Sequence, residues 1–175
     1  MPLRPGRCYR RIDTPPYTRK EYIPGVPACK IAKFEDGDPN GEYDYALYIR
    51  TLENGQIRHN ALESARVMIT KSLSNRISGS FYFKLLVYPH QVIRENKMMA
   101  FAGADRIQDG MRQAFGKPIG LAARVKAGQN IVVVKVKKPY IEAAKEALKR
   151  GKSKIPIPSQ IVMEPLEPKT VSQTQ

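Results

Sequence analysis

Between Gly103 and Val125 the chain sets Arg106, Arg112, Lys117 and Arg124 among Gly103, Gly110, Gly116 and Gly120, with only Asp105 and Asp109 to oppose them. Cations on a glycine-rich backbone suit contact with phosphate. The side chains neutralise charge, and residues without a Cβ let the main chain come close. Such a segment could bind a polyanion or cradle a nucleotide, and the spacing refuses the second. Five residues separate Gly110 from Gly116 where a P-loop requires four, and Pro118 follows Lys117 where a magnesium-holding hydroxyl belongs.

Other chemistries fare no better. His59 and His90 are the only histidines, and neither has Cys, Asp or Glu at a metal-ligand spacing. Asp105 and Asp109 stand beside arginines, which makes local ion pairs a simpler expectation than acid-base catalysis. Cys8 and Cys29 form neither a CxxC pair nor a disulfide framework, so reduced thiols and a cytoplasmic setting are expected. The sequence therefore predicts no catalytic residue, no metal and no cofactor. It also lacks the run of about 18 apolar residues that a membrane span needs, and its first residues lack the apolar core of a secretory signal.

The net charge of +14 over 175 residues points to a nucleic acid partner, and the charge is unevenly spread. Residues 1–33 carry eight Lys/Arg against two acids and residues 94–138 carry ten against three, while residues 34–64 carry two against seven. This division predicts two RNA-facing regions and one face turned away. Six prolines in residues 1–27 forbid a continuous helix or central strand there, so an extended basic arm is expected. Arg4, Arg7, Arg10, Arg11, Arg19 and Lys20, interleaved with Tyr9, Tyr17 and Tyr22, give that arm phosphate partners and flat rings. The arm is expected to order mainly on its partner, the alternative being a strap laid over its own domain.

The elements that must position these cations are legible as periodicities. Strands are expected at 30–34 and 43–52, separated by the turn-rich EDGDPNGE, with a further turn at Glu53-Asn-Gly. Asn60 suits an N-cap with Glu63 at the third helical position. Leu62, Ala65, Ile69 and Leu73 then share one face of a helix over 61–74, and Glu63, Arg66, Thr70 and Lys71 fall on a solvated one. Residues 80–88, SFYFKLLVY, predict a strand buried on both faces for much of its length, and residues 131–138 predict another. A second helix is expected over 139–150, with Pro139 at its start, Gly151 as its C-cap and Glu146 paired to Arg150. A strand over 155–163 follows, and the tail from Glu164 should be disordered in isolation. Residues 97–117 show no clean period and predict a long functional loop. The expected class is α+β: mixed or antiparallel β-structure with two packed helices, a single RNA-binding domain made of arm 1–27, core 28–163 with its loop near 98–117, and tail 164–175.

Several stretches together resemble one family: PGRCYR at 5–10, GVP at 25–27 with Lys30, ALESAR at 61–66, VIRENKM at 92–98, and the run from AGADR at 102–106 to AARV at 122–125. The chain resembles the universal large-subunit "L-sixteen" ribosomal proteins, in their archaeal and eukaryotic "L-ten-e" branch. The resemblance implies an α/β-hammerhead type of fold and a place in the large ribosomal subunit, between the base of the central protuberance and the peptidyl transferase region. It implies large-subunit rRNA, aminoacyl-site tRNA and neighbouring ribosomal proteins as partners. On this reading Arg94, Lys97, Arg106, Arg112, Lys117, Arg124 and Lys126 neutralise rRNA or tRNA backbone. Arg4, Arg7, Arg10, Arg11 and Arg19 anchor the arm in rRNA. A free-standing RNA-binding regulator and an RNA-modifying enzyme are the competing classes; the first lacks an RRM or KH signature, the second a cofactor loop or convincing nucleophile.

Overall fold

The β-rich half of the chain divides into two antiparallel sheets, seen in a computed structural model that describes residues 4–77, 79–97, 110–111 and 115–166. The strands are β1 (Glu35–Gly37), β2 (Tyr45–Thr51), β3 (Gly55–Arg58), β4 (Phe81–Leu85), β5 (Gln91–Glu95), β6 (Lys117–Val125), β7 (Asn130–Val136) and β8 (Ser159–Pro165). The helices are α1 (His59–Ser74) and α2 (Ile141–Lys152). Five strands form one sheet in the order β1-β4-β7-β2-β8, and β3-β6-β5 form the other. The class is α+β with two helices and antiparallel sheets among the described residues, as expected.

The larger sheet follows from apolar alternation. Leu47 and Ile49 of β2, Phe81, Phe83 and Leu85 of β4, and Val132, Val134 and Val136 of β7 share one face and enter a single buried cluster. Both helices cover that face: α1 through Leu62, Ala65, Ile69 and Leu73, α2 through Ala144, Ala147 and Leu148. Burial of these side chains, each stabilising by about 1.5–3 kcal/mol when a large aliphatic or aromatic residue is fully enclosed, is the principal force on the fold. The opposite face is more polar, with Arg50 reaching Asn130 and Glu164 and Lys135 lying over the Tyr82 ring.

Several expectations are corrected here. No strand forms at 30–34, because the Lys30 and Ala32 amides donate to His59 Nδ1 and Glu63 Oε2 rather than to a ladder; β1 begins only at Glu35. Helix α1 starts at His59, so Asn60 lies inside its first turn, where its Oδ1 accepts the Ala61 amide, and Glu63 faces Ala32 and Arg66. Its polar side is not wholly solvated, since Thr70 and Ser72 are buried and the Thr70 hydroxyl donates to the Arg66 carbonyl. Phe81, Phe83, Leu85 and Val87 are buried on one face and Tyr82 on the other, but Leu86 and Tyr88 are exposed, so burial on both faces is confined to the start of the 80–88 segment.

Gly151 does not cap α2. It is buried within the helix, which continues to Lys152, and it faces Ile69 and the Ala65 carbonyl of α1. Pro139 instead sits in a short 3-10 turn, Lys138–Tyr140, that leads into α2, and Glu146 pairs with Arg150 at 2.7 Å. The last strand starts at Ser159 because Pro156 and Pro158 delay it, and it carries Glu164 and Pro165 into the sheet; the Leu166 amide then donates to the Asp44 carbonyl.

The whole second sheet went unpredicted. The basic arm lies against it as a strap, the alternative reading, with two 3-10 turns at Gly6–Tyr9 and Lys20–Tyr22. At one edge the Gln56 amide of β3 donates to the Arg10 carbonyl, and at the other the Val92 amide of β5 donates to the Tyr17 carbonyl. The Tyr17 amide answers by donating to Gln91 Oε1, and Ile23 is buried against Val92 and Leu121. These bonds satisfy backbone groups of an otherwise proline-broken segment, which explains why the arm is ordered on its own domain.

Candidate nucleic-acid interface

The second sheet and its strap gather most of the sequence-predicted cations. Strands β5 and β6 run antiparallel with Glu95 opposite Lys117, which brings residues 96–97 and 115–116 together at the root of the long loop. Gly116 makes this approach feasible: its φ is +96°, and a Cβ there would meet the Asn96 nitrogen and the Glu95 carbonyl carbon at 2.8 Å. Arg94 braces the same root by donating to the Phe115 carbonyl at 2.7 Å, with its guanidinium carbon 5.3 Å from the centre of the Tyr17 ring. Lys97 and Lys117 are exposed beside it.

The arm adds charge on either side. Arg4 pairs with Glu95 at 3.3 Å, so the arm and the loop root meet at one carboxylate. Arg10 pairs with Glu53 at 2.6 Å. Arg7, Arg11 and Arg19 present exposed side chains along the strap. Arg124 of β6 spends its guanidinium on the strap, donating to the Thr14 carbonyl at 2.7 Å and the Pro15 carbonyl at 3.2 Å. Lys126 rides the turn between β6 and β7. The Thr51 hydroxyl donates there to the Lys126 carbonyl, Gln129 Oε1 accepts the Lys126 amide, and Gly128 adopts φ +80°. Arg106 and Arg112, with the body of the loop, lie outside the described residues.

Sequence reasoning passed over Arg58. It donates to the Arg4 carbonyl at 3.0 Å and its guanidinium carbon lies 5.4 Å from the centre of the Tyr9 ring, so one cation holds the arm's beginning to β3. Burial and the Glu95 carboxylate push the Tyr9 hydroxyl above its ordinary pKa, against the opposing pull of Arg4 and Arg58. A second cationic groove of about 450 Å³ also went unnoticed; Arg10, Lys149 and Lys152 line it together with the 155–159 segment. The only signal for it in the sequence is the KRGKSK run that closes α2.

The described residues hold no cluster of three or more His, Cys, Asp or Glu placed for a metal, and no helix of theirs is long and apolar enough to cross a membrane. The model of the family described as "Ribosomal protein L16p/L10e" matches residues 12–162. The chain belongs to the L16p/L10e family. It is similar to "Large ribosomal subunit protein uL16" of Staphylothermus marinus, with 62% identity over 169 residues that cover 96% of this chain and 97% of the relative. The Sulfolobus acidocaldarius protein of that name is 59% identical over 176 residues, covering 99% and 100% of the two chains. A Saccharolobus islandicus protein is 58% identical over 171 residues, covering 96% of each. As a member of the L16p/L10e family the chain is a ribosomal protein and not an enzyme.

Proposed function

We propose that this protein is a structural constituent of the large ribosomal subunit. It binds large-subunit rRNA through its arm and second sheet, and helps organise the aminoacyl-tRNA site near the peptidyl transferase region. The observation that carries this reading is the Arg4–Glu95 ion pair. It ties the arm to the strand end whose ladder partner is Lys117, which sets cations of the arm beside those of the loop root. Arg7, Arg11, Arg19, Lys97, Lys117 and Lys126 contact phosphate directly. Arg4, Arg10, Arg94 and Arg124 both hold the surface together and add to its field, and Arg106 and Arg112 supply charge on the loop itself.

The protein acts as one RNA-binding domain in the cytoplasm, with neighbouring ribosomal proteins and the aminoacyl-site tRNA as its other partners. The test is sedimentation of the tagged chain from a cell lysate before and after a salt wash. Cosedimentation with large subunits that survives moderate salt is the expected result; a slow free peak would overturn the assignment.

A further inference from the structure

His59 opens helix α1 and is 5% exposed, yet only one of its ring nitrogens has a partner. Its Nδ1 accepts the backbone amide of Lys30 at 3.4 Å, so the proton of the neutral ring resides on Nε2. No described residue accepts that proton. The ring lines a notch of about 30 Å³ together with Lys30, Arg58, Asn60, Gly120 and Leu121, a volume that suits a single oxygen atom. Gly120 keeps the notch open, since a Cβ there would stand 3.3 Å from Nε2. Arg58, at the N-cap, supplies no side-chain cap to the helix, and neither Arg58 nor Lys30 has an ion-pair partner among the described residues.

We infer that this notch is a phosphate-oxygen site for RNA: His59 Nε2–H donates to one non-bridging oxygen of a backbone phosphate, while Lys30, Arg58 and the amino end of α1 offset its charge. Nε2 is unpartnered but not fully enclosed: its N–H opens onto the notch, where an oxygen seated beside it supplies the acceptor. The helix dipole and the two cations select an anionic oxygen over a neutral hydroxyl. Burial and the same two cations lower the His59 pKa, which keeps the ring in the neutral form that has Nδ1 free to accept. The inference rests on the rRNA-binding reading and adds to it a residue outside the basic arm and loop.

The experiment compares full-length variants for binding to a large-subunit rRNA transcript, with melting temperature as the folding control. Gly120→Ala fills the notch and should weaken binding about tenfold, the loss of one charge-assisted hydrogen bond. His59→Asn keeps an acceptor for Lys30 but withdraws the notch donor, and should lose a similar factor. His59→Gln, which can place an amide near Nε2, should recover most of it. In the unaltered protein, the nitrogen-15 signal of His59 Nε2 should move when transcript or inorganic phosphate is added, while that of His90 stays. Unchanged affinity in Gly120→Ala together with a static Nε2 signal would overturn the inference, leaving a notch that holds water only. Failure of the unaltered chain to bind the transcript would overturn the rRNA-binding reading as well.

Discussion

Arg124 and Thr14 are 110 residues apart in the chain, and the guanidinium of the first donates to the carbonyl of the second at 2.7 Å. With Pro15 accepting a second bond, one side chain of β6 pins the middle of the arm. Arg124→Met keeps the aliphatic stem and removes the donors. Charged hydrogen bonds of this kind contribute about 1.5–3 kcal/mol, so trypsin should cut after Arg11 and Arg19 roughly tenfold faster in the variant. Equal cutting rates would show that the strap is held by its other bonds alone.

Gly151 faces Ile69 at the crossing of α1 and α2, where a Cβ would intrude on the isoleucine side chain. Gly151→Ala gains up to about 1 kcal/mol of helix propensity, but overpacking the crossing costs about 1–3 kcal/mol. A net loss of stability in urea unfolding is expected. A variant as stable as or more stable than the parent would mean that Ile69 moves aside freely.

The residues of this crossing also show what the sequence could and could not convey. Leu62, Ala65, Ile69 and Leu73 announce α1 by their period, as the valines of β7 and the aromatic run of β4 announce their strands, because burial on one face imposes the pattern. Gly151 carried the same letter that helix ends use, and nothing local distinguishes a glycine that stops a helix from one that lets two helices touch. The second sheet was hidden for a different reason. Its strands GQIR, QVIRE and KPIGLAARV contain two glycines, a proline, two alanines and little alternation. They become strands by pairing with each other and with the arm, a tertiary effect that outweighs weak local preference. The candidate site was correspondingly half legible: the cations stand out by type, but their common support does not, and Arg58 and His59 carry no local mark at all.

Acid should weaken the fold through His59. Burial holds its pKa below the ordinary value, with Lys30 and Arg58 adding to the effect. A base depressed in the folded state contributes stability that is present above its unfolded pKa and is lost as pH falls toward the folded one. Stability in urea should therefore decline below about pH 6.5, before the carboxylates titrate, and His59→Gln should flatten that part of the profile. A slope identical in both proteins would place the loss on other groups.

Salt should weaken rRNA binding steeply. Replacing Arg106, Arg112 and Lys117 by Ala should flatten the dependence of log affinity on log salt by up to about 0.7–0.9 for each phosphate no longer neutralised. An unchanged slope would remove the loop from the RNA interface.

The strap has one more consequence. Because Arg10 and Tyr17 take backbone hydrogens from the outer sides of β3 and β5, the small sheet offers a neighbouring copy less of the open ladder that drives strand-to-strand clumping. The segment rich in arginine thus doubles as a guard against self-association.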